Sequence, residues 1–141
     1  MNFSKLYALM KYAKVYGHNQ IKKVGVSDTE YLICAFAFGH SNSSQDDIAE
    51  ALKLDKTTVA RALLTLEKKG YIERLPNPEN RRKNIIYITE LGKESISDVV
   101  NVYDTWLNQI SKALKPQEWK QFEDYCEKLL EVAEQVNKGV E

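Results

Sequence analysis

Between Asp55 and Lys83 the chain is crowded with side chains that donate hydrogen bonds to anions: Lys56, Thr57, Thr58, Arg61, Thr65 and Lys68, then Arg81, Arg82 and Lys83. Cationic and hydroxyl donors of this kind grip phosphate oxygens and read base edges in a DNA groove. From Lys56 to Lys83 eight bases stand against three acids, a net of +5. From Glu90 to the end six bases stand against eleven acids, a net of −5. The whole chain sums to zero, so a nucleic-acid partner shows only in the distribution of charge.

Other chemistries find little support. No Ser-His-Asp order, glycine-rich phosphate loop or paired-carboxylate motif occurs, so the chain is not expected to be an enzyme. His18 and His40 have no cysteine or carboxylate at metal-ligand spacing, and neither a metal nor another cofactor is expected. Cys34 and Cys126 lie on apolar helical faces and read as buried core thiols of a reducing, cytoplasmic compartment. There is no run of 18 apolar residues and no secretory cleavage pattern near the N-terminus, so no membrane association is expected.

The donors need a scaffold, and the flanking sequence predicts one. Ser44 and Asp47 form a capping-box pattern that opens a short helix with Ile48, Ala49 and Leu52 on one face. Lys53-Leu54 is a tight connection. Asp55 caps a second helix, about 55–69, and Gly70 ends it as a residue that can take positive φ. Val59, Ala62, Leu63 and Leu66 recur at helical spacing, which leaves Lys56, Thr57, Thr58, Arg61, Thr65 and Lys68 on the free face. Thr58 has a second reading, as a residue that serves the helix start. A hairpin follows, about 71–88, with Tyr71–Leu75 paired against Ile85–Ile88. Pro76 to Asn84 is expected to be an irregular loop carrying Arg81, Arg82 and Lys83 at its tip. Two helices, a short turn and a hairpin with a basic tip make a winged helix-turn-helix.

The run LDKTTVARALLTLEKKGYIER resembles the recognition helix and first wing strand of the MarR (multiple antibiotic resistance regulator) family of transcription factors. NPENRRKNIIYITELGKE resembles its wing signature and the helix after it. The family's wing carries Asp-x-Arg. Arg82 matches the Arg, whereas Asn80 stands where the family has Asp, so the wing contact made by that carboxylate is missing here. The resemblance implies a homodimeric double-stranded-DNA-binding regulator, a repressor by expectation. It also implies small aromatic effectors held between dimer helices and winged core, which would alter the spacing of the recognition helices and release DNA. Tyr12, Tyr16, Tyr31 and Tyr103 invite such a ligand, against the competing and favoured reading that they are ordinary core and interface filling. No charged anchor for a ligand is identifiable, so its binding residues stay unassigned.

The expected fold is therefore mostly α (α+β): one domain over 1–141, with a winged core at 28–89 between dimerisation helices at 1–25 and 90–141. The first helix shows Phe3, Leu6, Tyr7, Met10 and Ala13 on one side, with Gly17 expected to loosen it. Ser27 to Glu30 is a capping box before a helix apolar all round from Tyr31 to Phe38. Thr89 is expected to cap one long helix through Leu114, about 37 Å at about 1.5 Å per residue. Pro116 starts the last helix, where Trp119, Phe122, Cys126, Leu129, Ala133 and Val136 form a heptad seam. Two reading heads on a two-fold axis would meet a pseudo-palindrome with half-sites about 34–36 Å apart. The candidate DNA contacts are Ser44, Lys56, Thr57, Thr58, Arg61, Thr65, Arg81, Arg82 and Lys83. The competing reading is a winged-helix protein-interaction or architectural DNA-binding module without effector control.

Overall fold

The computed structural model describes residues 2–140, with Arg81 described by its backbone alone. Among the described residues seven α-helices and three strands follow one another, with short 3-10 turns at Lys22–Val24 and Ser111–Ala113: α1 (Phe3–Ile21), α2 (Asp28–Gly39), β1 (Ser43–Ser44), α3 (Gln45–Leu52), α4 (Lys56–Lys68), β2 (Ile72–Asn77), β3 (Asn80–Ile88), α5 (Glu90–Ile96), α6 (Val102–Ile110) and α7 (Pro116–Lys138). The chain divides into two compact units, Met1–Tyr103 and Asp104–Glu141.

Local chemistry sets the helix starts. At α2 the Ser27 hydroxyl accepts from the Glu30 amide, while the Glu30 carboxylate accepts from the Ser27 amide at 2.6 Å. Ser44 and Asp47 do the same for α3. Asp55 caps α4. Each exchange satisfies orphan amides of a first turn. Lys53 closes α3 at φ +54 and Gly70 follows α4 at φ +74, so both turns are as tight as the sequence implies.

The first unit packs on one apolar cluster. Ile33 and Cys34 of α2, Ile48 of α3, and Val59, Leu63 and Leu66 of α4 are fully buried with Ile96 of α5. Ile86 closes the layer from the sheet, whose antiparallel order is β1-β3-β2. The two-residue β1, which the sequence does not announce, pairs Ser43 with Ile86 and Ser44 with Ile85. It ties the N-terminus of α3 to the hairpin.

Five expectations need correction. The helix after the wing is not continuous to Leu114: α5 ends at Ile96 and α6 begins at Val102. Between them the Val99 amide bonds Ile96 O and the Val102 amide bonds Val99 O, at three-residue intervals. Ile96, Val99 and Val102 are all buried, so the three-residue turns keep one face on the core through the break. Ser95 and Ser97 hydroxyls bond back to Leu91 O and Glu94 O, which further weakens the α ladder.

The hairpin is longer than expected, because β2 runs on through Pro76 to Asn77 and β3 starts at Asn80. Proline is tolerated because β2 lies at the sheet edge. Gly17 does not loosen α1; it is buried inside an unbroken 19-residue helix. Phe38 is 48% exposed, so α2 is buried on one side only. Cys34 is buried but Cys126 is exposed.

In the second unit α7 starts with Pro116 at its N-terminal turn. Its seam is open: Phe122, Leu129 and Val136 are all exposed. On α1 Phe3, Leu6, Tyr7 and Met10 are exposed likewise. Among the described residues no helix is long and apolar enough to cross a membrane.

Candidate nucleic-acid interface

α4 presents the candidate site as a single outward stripe. Thr57, Arg61, Leu64 and Lys68 recur at i, i+4, i+7 and i+11, opposite buried Val59, Leu63 and Leu66. All four are exposed. The Arg61 side chain has no hydrogen-bond or ion-pair partner among the described residues. Its guanidinium therefore keeps all five donors for an external acceptor. With Thr58 and Thr65 it lines one side of a cleft of about 260 Å³, whose other side is Ser27, Thr29 and Glu30 at the start of α2.

The other donors on α4 are partly engaged. Thr58 donates its hydroxyl to Asp55 Oδ2 at 2.6 Å and its amide to Asp55 Oδ1 at 2.7 Å. That hydroxyl bond, then the amide, holds the Asp55 carboxyl below its usual range. Thr58 thus serves the helix start, the second of its two readings. Thr65 donates to Arg61 O at 3.3 Å and stays exposed. Lys56 reaches Asp46 of α3 at 3.6 Å, with both side chains largely in water, a pairing too exposed to hold the ammonium from a stronger anion. Ser44 spends its hydroxyl as acceptor in the α3 capping box and is half-buried beside the hairpin.

The wing basics do not sit at the hairpin tip. Pro76 pairs with Asn84, but the next β2 residue, Asn77, pairs with Asn80. One step along β2 is matched by four along β3, so residues 81–83 bulge from the ladder. The tip itself is the turn between Asn77 and Asn80, where the Asn77 carboxamide accepts from the Glu79 amide. Asn80, in the family's Asp position, accepts from the Arg82 amide at 3.2 Å, a local turn bond. Arg82 and Lys83 are exposed. They line a cleft of about 210 Å³ with Ser44, Gln45, Asp46 and Arg74. The side chain of Arg81 lies outside the described residues. The bulge thus brings Arg82 and Lys83 to Ser44, and Arg61 faces outward on its own helix.

Two bases of the cationic run turn inward, which no spacing rule could reveal. Lys69 bonds Glu30 Oε1 at 3.0 Å and Gly25 O at 3.2 Å. Burial pushes the Glu30 carboxyl up, but the Ser27 amide and Lys69 outweigh it and leave it below the ordinary value. Arg74 pairs through Nε with Glu67 of α4 and donates from Nη1 to Gln45 of α3 at 3.3 Å. The partners lie 39, 7 and 29 residues apart in sequence, so only the fold brings them together. Leu64, 54% exposed amid these donors, also escapes a search for polar groups.

Neither histidine belongs to this surface. His18 Nδ1 lies 3.1 Å from Asp28 Oδ2, and His40 bonds Phe36 O. Among the described residues no cluster of three or more His, Cys, Asp or Glu could hold a metal ion.

Comparison with known proteins adds three likenesses and one family match. The family model described as MarR family matches residues 26–83. The HTH-type transcriptional regulator BilQ of Clostridioides difficile is 28% identical over 113 residues, 80% of this chain and 76% of that protein. The transcriptional repressor MprA of Escherichia coli is 28% identical over 123 residues, 86% of this chain and 70% of that protein. The S. aureus MepR–DNA complex superposes with a TM-score of 0.81 at 21% identity, covering 94% of this chain and 98% of that one. That structural likeness bears on the winged-helix fold.

Proposed function

This chain carries a MarR family domain across residues 26–83, and from that premise we propose that it is a transcriptional regulator binding a pseudo-palindromic operator in double-stranded DNA as a homodimer. One observation carries the reading. The unpartnered Arg61 guanidinium stands in the centre of the outward stripe of α4, while two other bases of the same run are consumed internally. α4 enters the major groove, with Thr57 and Arg61 toward base edges and Lys56 and Thr65 toward flanking phosphates, while Thr58 stays committed to the Asp55 cap. Arg81, Arg82, Lys83 and Ser44 take the backbone beside it, adding affinity and salt dependence more than sequence choice. Dimerisation covers the exposed apolar faces of α1 and α7, which are otherwise costly to leave in water. Two-fold symmetry then sets the half-site spacing at about one helical turn.

The similarity to a named repressor supports repression as the outcome. Release by a small aromatic effector forms the second arm of the proposal. It requires that an aromatic acid shift melting temperature and operator affinity together, and no linked shift across a panel leaves a constitutive DNA binder. The core test is competition. A duplex selected by the protein from a randomised pool should beat bulk DNA by about a thousandfold or more. Equal competition by bulk DNA would leave an architectural module instead.

A further inference from the structure

We propose that Arg74 is a positioning residue: it does not touch DNA but locks the wing to both helices of the reading head. The inference rests on the DNA-binding reading above and goes beyond it. By sequence Arg74 is one more base in the cationic run. By structure it is the junction of three elements. It projects from β2, where it pairs across the ladder with Ile86 of β3. Its Nε meets the Glu67 carboxylate in the last turns of α4, and its Nη1 donates to Gln45, the first residue of α3. Both charged side chains are largely withdrawn from water, Arg74 at 24% and Glu67 at 32% exposure.

A guanidinium in this setting is poorly available to a phosphate. Its charge is already matched at short range in a partly dry site, and pulling it away would strand Glu67. Yet the cation lines the same cleft as Arg82 and Lys83. Arg74 therefore fixes where those two free cations stand relative to the outward stripe of α4. The ion pair to Glu67 and the hydrogen bond to Gln45 tie β2 to α4 and α3 in a chain that has Asn80 where the family has its wing carboxylate. Loss of the lock lets the hairpin move, so wing and helix no longer meet their groove and backbone at once.

Positioning and direct contact give different salt dependence. Each phosphate contact removed lowers the slope of log K against log salt by about 0.9. Binding is measured between low and moderate salt, using full-length protein and a duplex that the wild type selects from a randomised pool. For Arg74→Met and Glu67→Gln the expected result is about fivefold or greater loss of affinity with an unchanged slope, and a double variant no worse than the weaker single. The charge swap Glu67→Arg with Arg74→Glu should recover most of the affinity. A fall in slope for Arg74→Met with Glu67→Gln neutral would overturn the proposal, because Arg74 would then be a phosphate contact. If Arg74→Met does not fold, the swap decides: a folded swap that binds supports the lock, and a folded swap that does not bind refutes it. Failure of the wild type to select any duplex removes the DNA-binding reading, and the lock with it.

Discussion

The Cβ that Gly17 lacks would stand 2.5 Å from Cζ and from the hydroxyl oxygen of Tyr103. α1 therefore passes the Tyr103 ring at a distance only a glycine permits. Tyr103 in turn tilts against Tyr31, with ring centroids 6.1 Å apart, and the Tyr31 hydroxyl donates to Val100 O at 3.0 Å. Gly17→Ala is expected to destabilise the protein by about 1–3 kcal/mol, as overpacking does. Thermal denaturation of Gly17→Ala, Tyr103→Ala and the double variant checks this, with the double loss less than the sum of the two. Additive losses would show that the two residues do not press on each other.

Glu30 should make stability fall on acidification. Its folded carboxyl titrates below the ordinary 4.5 because the Ser27 amide and Lys69 outweigh burial. A depressed folded value means the ion pair contributes fully above the unfolded value, and its contribution is lost as pH falls through the folded one. Glu30→Gln should cost about 1–3 kcal/mol at neutral pH. The variant's denaturant midpoint should also drop less than wild type between pH 7 and pH 3. Parallel pH profiles for the two proteins would remove Glu30 from the acid response.

The sequence disclosed the reading head better than its surroundings, for physical reasons. Caps and core spacing are local, so Ser27, Ser44, Asp55 and Gly70 could be read from their neighbours. The bulge at residues 81–83 depends on a register that only pairing determines, and Pro76 and Pro78 suggested a loop too early. The break after Ile96 was hidden because apolar residues three apart suit a long helix stripe and a three-residue turn alike. Which bases remain free was invisible, since Lys69 and Arg74 meet acids brought close by folding. Gly17 carried no sign of Tyr103, 86 positions away in the chain.

Thr58 is expected to matter to folding rather than to phosphate affinity. Thr58→Val removes the hydroxyl bond to Asp55 and leaves the capped amide. It should lower the melting temperature by a few degrees while the salt slope of DNA binding stays the same. A reduced slope with an unchanged melting temperature would return Thr58 to the list of phosphate contacts.

The two cysteines should report on association. Burial, with the charge of Glu30 adding to it and Lys69 opposing, pushes the Cys34 thiol up to about 12, so it should resist alkylation at pH 8 in the folded protein. Cys126 is exposed on the single chain and lies in the apolar seam of α7. In the proposed dimer it becomes protected, and Leu129→Lys should give a monomer by sedimentation with Cys126 newly reactive. Rapid labelling of Cys126 in a wild-type protein that sediments as a dimer would place the interface elsewhere.

Arg61→Ala tests the central claim most directly. The measurement is the ratio of affinities for the selected duplex and for bulk DNA, at one fixed salt concentration. An arginine that reads a base edge is worth about 1–3 kcal/mol of discrimination, so the ratio should fall by about five- to 150-fold while bulk binding weakens only slightly. A ratio unchanged from wild type would contradict the placement of α4 as the element that reads sequence.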